Sequence, residues 1–207
     1  MSEDVPCVFV VDDDVSVREA LMNLLRSVGL KAETFGTAEE FLSSKRSDSH
    51  GCLLLDVRMA GMSGLDLQRQ LAESGLKIPI VFITAHGDIP MSVQAIKSGA
   101  VEFLTKPFRD QDLLDAVHQA VKLSCATRKR ETETAELRER YKSLTSREQE
   151  VFGLVGLGLA NKQIAAEMSI TEPTVKLHRG RMMHKMGAAS LADLIRMAQK
   201  VGALEKP

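Results

Sequence analysis

The chain is expected to fold as an α/β protein: a (βα)5 doubly wound parallel sheet, then a helical linker, then a small all-α unit. Three observations carry this expectation. Five short strand candidates alternate with five segments of helical periodicity before residue 124, the pattern of parallel strands joined by crossover helices. Runs such as Gly51-Cys52-Leu53-Leu54-Leu55-Asp56 are continuous rather than alternating, as in strands buried on both faces. After Leu123 the chain turns strongly polar and then resumes a compact helical pattern.

Taken in order, Cys7–Val11 is the first strand and ends in Asp12-Asp13-Asp14. Val17, Leu21, Leu24, Leu25 and Val28 recur at helical spacing, and Gly29 closes that helix. Residues 30–35 form a second strand. Thr37 caps the next helix, with Glu40 placed to complete a capping box. The third strand ends at Asp56, and Leu65, Leu67 and Leu71 mark the helix after it. Residues 78–83 form a fourth strand that runs into Thr84. Residues 91–98 read as a helix stopped by Gly99. Residues 101–105 form a fifth strand before Lys106-Pro107, and Leu113, Leu114, Val117 and Val121 mark a fifth helix. Residues 128–142 are good helix formers with opposite charges interleaved, so a solvent-exposed helical linker is expected, with Leu137 and Tyr141 as docking contacts. Thr145 and Glu148 make a second capping box at the start of the all-α unit. The expected divisions are residues 1–123, 124–143 and 144–207.

Composition bounds the function. No apolar run is long enough to span a membrane. Glu3 and Asp4 stand where a secretory leader would be basic, so a cytoplasmic protein is expected. Cys7, Cys52 and Cys125 are odd in number and lack metal-ligand spacing, which argues against a disulfide framework or a zinc site. The net charge of −1 hides an asymmetry: residues 1–124 carry −6 and residues 125–207 carry +5. A basic second half is compatible with a polyanion partner.

Strand ends in an open α/β sheet line the ligand crevice. Here they supply Asp12, Asp13, Asp56, Thr84 and Lys106. Crowded carboxylates at one rim are suited to a hard divalent cation held by oxygen, such as Mg²⁺ or Mn²⁺. A carboxylate beside such an ion can attack phosphorus to give an acyl phosphate. A lysine ammonium would offset charge on the transferring group, and a threonine hydroxyl would hydrogen-bond the product.

Residues 7–122 resemble the receiver domain of two-component response regulators. The resemblance rests on Val10-Val11-Asp12-Asp13-Asp14, Leu53-Leu54-Leu55-Asp56, Ile83-Thr84-Ala85 and Lys106-Pro107-Phe108. It implies that Asp56 accepts a phosphoryl group from a sensor histidine kinase. It implies a metal held by Asp13, Asp56 and the Arg58 backbone carbonyl, with Asp12 assisting. Thr84 and Lys106 would engage the phosphate, Phe103 would change rotamer, and Lys106-Pro107 would be cis. Arg58 and His86 occupy positions that tune phosphate lifetime in this family. Where the family often has Met-Pro-Gly, this chain has Met59-Ala60-Gly61, which should loosen that loop slightly.

Residues 144–200 resemble the LuxR-type helix-turn-helix, through Leu144-Thr145-x-Arg147-Glu148-x-Glu150-Val151, Asn161-Lys162-x-Ile164-Ala165, Thr174-Val175-Lys176-x-His178 and Lys185-Met186. With Glu172–Met186 as the recognition helix, Val175, Met182 and Met186 share a core face, while Leu177, Gly180, Arg181 and His184 point the other way. The expected DNA contacts are Lys162, Thr171, Thr174, Lys176, Leu177, His178, Arg179, Arg181 and Lys185. Gly180 departs from the longer side chain common there and should alter base readout.

Together the two resemblances identify a response regulator of the FixJ/NarL class, nearest the FixJ and StyR-like subgroup through Thr84-Ala85-His86-Gly87-Asp88-Ile89-Pro90. The implied partners are a sensor kinase, double-stranded promoter DNA and RNA polymerase. A homodimer would form on phosphorylation through the helix 4–strand 5 face. Three other readings compete. A haloacid-dehalogenase-type phosphatase would use Asp12 as nucleophile. A flavodoxin-like FMN module lacks a phosphate-cradling loop after the first strand. A phosphorylation-independent regulator would keep the fold alone.

Overall fold

The computed structural model describes residues 5–44, 50–85 and 87–202. The chain divides into two compact units, Met1–Arg128 and Lys129–Pro207. The first unit holds β1 (Cys7–Val11), α1 (Val15–Ser27), β2 (Lys31–Phe35), α2 (Ala38–Ser43), β3 (Gly51–Asp56), α3 (Gly64–Glu73), β4 (Ile80–Thr84), α4 (Ile89–Lys97) and β5 (Glu102–Thr105). It also holds the start of α5 (Asp110–Lys142), whose residues from Lys129 on, in the stretch read as a helical linker, belong to the second unit. The strands form one parallel sheet in the order β2-β1-β3-β4-β5.

The period of two along each strand distributes its side chains to two cores. Cys7, Phe9 and Val11, with Leu53, Leu55, Ile80 and Phe82, face a layer supplied by Phe41, Leu67, Leu71 and Ala95 of α2, α3 and α4. Val8, Val10, Cys52, Leu54, Val81 and Ile83 face the other layer, made by Leu21 and Leu25 of α1 and Leu113, Ala116, Val117 and Ala120 of α5. Burial on both faces explains why β1, β3 and β4 are apolar without alternation, whereas β2 and β5 are less buried. All five expected strands are present.

Several boundaries differ from expectation for local reasons. β4 begins at Ile80 because the preceding residue is Pro79, which accepts a hydrogen bond from Leu53 N–H (2.9 Å) but has none to donate. α4 begins two residues early, because Asp88 caps Met91 N–H (2.8 Å) and Pro90 suits the first turn. Thr37 caps Glu40 N–H as expected, but the Glu40 carboxylate reaches back to Gly36 N–H (2.7 Å) rather than Thr37. The reciprocal box is therefore open at that end.

Gly51 opens β3 at φ 153°, and a Cβ there would lie 1.7 Å from the Cys7 carbonyl oxygen. That neighbour is sheet backbone and cannot yield. Gly51→Ala is expected to destabilise the first unit by roughly 4 kcal/mol or more. Urea unfolding would measure it, and a loss below about 1 kcal/mol would contradict the close approach.

The second unit packs α6 (Ser146–Gly156), α7 (Asn161–Glu167), α8 (Glu172–Met186) and α9 (Leu191–Val201) around Val151, Phe152, Ile164, Val175, Met182, Met186 and Leu194. Leu137, from the charged stretch of α5, is buried in this core, and the Tyr141 ring lies 5.3 Å from that of Phe152. The docking contacts read from the sequence are thus core contacts. Thr145 and Glu148 form the full capping box at α6. Among the described residues no helix is long and apolar enough to cross a membrane.

Candidate functional site

β1 and β3 pair with Val11 opposite Leu55. That register puts Asp12, one residue past β1, beside Asp56 at the last position of β3. Carboxylate oxygens of Asp12, Asp13 and Asp56 all lie within 4.8 Å of one another. Lys106 follows β5 after its backbone N–H bonds the Thr84 carbonyl (2.7 Å). Its Nζ sits 2.7 Å from Asp12 Oδ2 and 3.7 Å from Asp56 Oδ1. Four of the predicted residues therefore converge, and Thr84, 1% exposed, ends the adjacent strand.

The two buried carboxylates differ. Both Asp12 oxygens are engaged: Oδ1 accepts from Asp14 N–H (2.9 Å) and Oδ2 from Lys106 Nζ (2.7 Å). Asp56 Oδ1 is buried with no hydrogen-bond partner among the described residues. Burial pushes the Asp56 pKa up to about 6; Asp12 and Asp13 add to the rise, while Lys106 and the Val57 N–H oppose it. An orphaned anionic oxygen within a cluster of three carboxylates matches the donor set of a hard divalent cation such as Mg²⁺ or Mn²⁺. The same contrast weighs against Asp12 as a nucleophile, because both of its oxygens are occupied.

Asp13 is exposed, and its Oδ2 accepts a hydrogen bond from Ala60 N–H at 3.2 Å. A proline at that position would have no N–H to give. The departure from Met-Pro-Gly therefore supplies an anchor for Asp13, where sequence reasoning foresaw only a looser loop. Arg58 is exposed in the loop after β3, and His86 lies outside the described residues. Phe103 packs on Phe82 (centroids 6.1 Å apart). A Cβ on Gly87 would lie 2.8 Å from the Phe103 ring, so Gly87 makes room for this aromatic, a role the sequence reading missed. Lys106-Pro107 is cis.

In the second unit, α8 has the predicted bounds, and Thr171 caps it by accepting from Thr174 N–H (3.4 Å). Val175, Met182 and Met186 are fully buried, while Lys176, Leu177, Gly180, Arg181 and His184 are exposed. Lys162 is exposed on α7. Three expected contacts are placed differently. Arg179 hydrogen-bonds Asn161 Oδ1, tying α8 to α7. Lys185 Nζ lies 2.6 Å from Glu148 Oε2, tying α8 to α6. His178 is half-buried, with Nδ1 enclosed and unpartnered among the described residues. The open positive face of α8 is therefore Lys176 and Arg181.

The comparisons with known proteins agree with this two-part architecture. The family profile described as response regulator receiver domain matches residues 8–118. The profile for bacterial regulatory proteins of the luxR family matches residues 142–198. Nodulation protein W of Bradyrhizobium diazoefficiens is 54% identical over 195 residues, covering 94% of this chain and 86% of the relative. The transcriptional regulatory protein FixJ of Azorhizobium caulinodans is 41% identical over 202 residues, covering 98% and 95%. A solved structure of the response regulator StyR superposes with a TM-score of 0.81 at 54% identity, covering 95% of this chain and 99% of that one.

Proposed function

The chain belongs to the response regulators that join a receiver domain to a LuxR-type DNA-binding domain, transcriptional regulators of two-component systems, and from that premise we propose that Asp56 is its phosphoacceptor. The observation that carries the reading is the orphaned Asp56 Oδ1, buried at the strand end and 3.7 Å from Lys106 Nζ. In the proposed reaction this oxygen attacks the phosphorus of a phosphohistidine on the sensor kinase. An O–P bond forms as the P–N bond breaks; with the other ring nitrogen of the phosphohistidine already protonated, this leaves an acyl phosphate on Asp56 and a neutral imidazole on the kinase. Asp13, Asp56 and the Arg58 carbonyl would hold Mg²⁺ or Mn²⁺, with Asp12 behind them; the ion supplies Lewis-acid neutralisation of the phosphoryl oxygens. Lys106 turns from Asp12 to the new phosphate, and Thr84 donates its hydroxyl to it. Phe103 then follows Thr84 inward over Gly87. Catalysis is confined to the chain's own phosphorylation and dephosphorylation.

Downstream, α4 offers Ile89, Val93 and Ile96, spaced as one stripe and 80%, 45% and 44% exposed. The α4–β5 face is the proposed dimer contact, placing two α8 helices on two half-sites of promoter DNA. Lys162, Lys176 and Arg181 would meet phosphates, and Leu177 would face base edges. RNA polymerase is the expected further partner, and the cytoplasm the expected compartment.

The test is intact mass after incubation with Mg²⁺ and acetyl phosphate. One phosphoryl adduct on the wild type, absent from Asp56→Asn, is expected; an adduct retained in Asp56→Asn would overturn the assignment. A separate prediction concerns Gly180, where a Cβ would meet nothing within 4 Å. Gly180→Ala should stabilise the second unit by about 1 kcal/mol. Gly180→Lys should change the preferred DNA sequence in a binding-site selection; an unchanged preference would remove Gly180 from the groove-facing side.

A further inference from the structure

A second cluster of reactive side chains lies at the opposite end of β3 from Asp56. His50 immediately precedes the strand, and Ser124 and Cys125 lie on α5. The His50 ring spans both: Nδ1 is 3.1 Å from Ser124 Oγ, and Nε2 is 3.4 Å from Cys125 Sγ. Ser124 is itself held, its Oγ accepting from Gly51 N–H at 3.2 Å. With Nδ1–H donating to Ser124 Oγ, the Nε2 lone pair faces the Cys125 thiol. That is the arrangement of an activated nucleophile: a thiol, a base within reach, and a third group that orients the base.

Cys125 is exposed, whereas Cys7 and Cys52 are buried. Burial pushes the Cys52 thiol up to about 12, which keeps it protonated and unreactive. The cluster touches none of the residues assigned to phosphoryl transfer, and its role does not rest on that assignment.

We propose that Cys125 is a modifiable thiol, activated by His50, that forms a mixed disulfide with low-molecular-weight disulfides. The Cys125 sulfur attacks one sulfur of the disulfide RS–SR. A bond forms between Sγ and that sulfur as the S–S bond of the reagent breaks, releasing RS⁻. His50 Nε2 takes the thiol proton and passes it to the departing thiolate. Cys125 is oxidised into the mixed disulfide, and the departing half of the reagent is reduced to one free thiol. His50 is the positioned base and Ser124 the residue that orients it.

The reduced full-length chain, treated with 5,5′-dithiobis(2-nitrobenzoate) under native conditions, should show one fast thiol and two slow ones. Peptide mass mapping should place the fast adduct on Cys125, and Cys125→Ser should remove the fast phase. His50→Gln should slow it by roughly tenfold or more while Cys7 and Cys52 stay protected. Protection of those two thiols separates lost base catalysis from loosened structure. Glutathione disulfide should then give a single adduct on wild type, at Cys125. A fast adduct on Cys7 or Cys52, or a His50→Gln rate equal to wild type, would overturn the proposal. If His50→Gln exposes the buried thiols, Ser124→Ala decides: a slower Cys125 reaction with buried thiols protected supports the dyad, and an unchanged rate rejects it.

Discussion

Asp56→Asn should melt several degrees higher than the wild-type chain at pH 8 in metal-free buffer, and the difference should close as the pH falls to about 4. The Asp56 carboxyl titrates near 6 in the folded chain against 3.8 as its ordinary value, mainly because burial disfavours the charge. Between those values the folded state binds more protons than the unfolded state, so stability falls as pH rises. The whole penalty is present above about pH 6 and absent below about pH 4. A folded value of about 6 against 3.8 corresponds to about 3 kcal/mol; solvent at the crevice mouth reduces this to about 1–2 kcal/mol. Asparagine keeps the shape, removes the charge, and leaves the 2.7 Å Lys106–Asp12 pair in place.

Magnesium should reverse the order. An ion that binds only the folded chain adds RT ln(1 + [Mg²⁺]/Kd), about 2.7 kcal/mol at a hundred times Kd. The wild type should gain this, and Asp56→Asn, having lost an anionic ligand, should gain much less. Differential scanning fluorimetry from pH 4 to 8, with and without Mg²⁺, would read both effects. A wild-type melting temperature that is flat from pH 4 to 7, or an asparagine variant no more stable at pH 8, would contradict the picture of Asp56 as a buried, incompletely compensated anion. The penalty has a functional counterpart. A carboxylate that the fold satisfies poorly is one that a cation or a phosphoryl group can satisfy better.

How much of this was legible beforehand follows from which interactions have a local signature. β1, β3 and β4 were legible because burial on both faces forces continuous apolar runs, and the sheet then delivers Asp12, Asp56, Thr84 and Lys106 to one rim through its register. The core face of α8 was legible because Val175, Met182 and Met186 keep helical spacing. Contacts between distant segments had no such signature. Ala60 lends its N–H to Asp13 across 47 positions of sequence. Gly87 clears space for Phe103, and neither fact leaves a periodic trace. Leu137 and Tyr141 stood out as docking contacts in a charged stretch, but that Leu137 is buried beside Phe152 and Val151 in one core is shown only by the fold of the second unit. The bonds of Lys185 to Glu148 and of Arg179 to Asn161 left no local trace for a related reason. A cation on a recognition helix reads as a phosphate contact until its carboxylate or amide partner on another helix is seen.

Lys185 gives the second large expectation. Glu148 is 2% exposed and closes the α6 capping box by accepting from Thr145 N–H (2.8 Å), while the same oxygen accepts from Lys185 Nζ (2.6 Å). The Lys185 bond, then the Thr145 N–H, hold its carboxyl below the ordinary glutamate range. The sign is the opposite of Asp56: this stabilisation is full at neutral pH and is lost as pH falls below about 4.5. Glu148→Ala removes a cap worth about 1 kcal/mol and one partner of a largely enclosed ion pair, where losses reach about 3–5 kcal/mol. The Lys185 side chain is 35% exposed and can turn to water, so a total of about 2–4 kcal/mol is expected for the second unit. Lys185→Gln should cost less but act in the same way, through stability. Salt dependence separates this from a DNA contact. Each phosphate contact adds about 0.9 to the magnitude of the slope of log K against log salt. Lys176→Gln should lower that slope by roughly this amount per protomer with stability unchanged. Lys185→Gln, measured at a temperature where the variant remains folded, should leave it unchanged. A slope that falls equally in both variants would return Lys185 to the DNA interface and make its bond to Glu148 secondary.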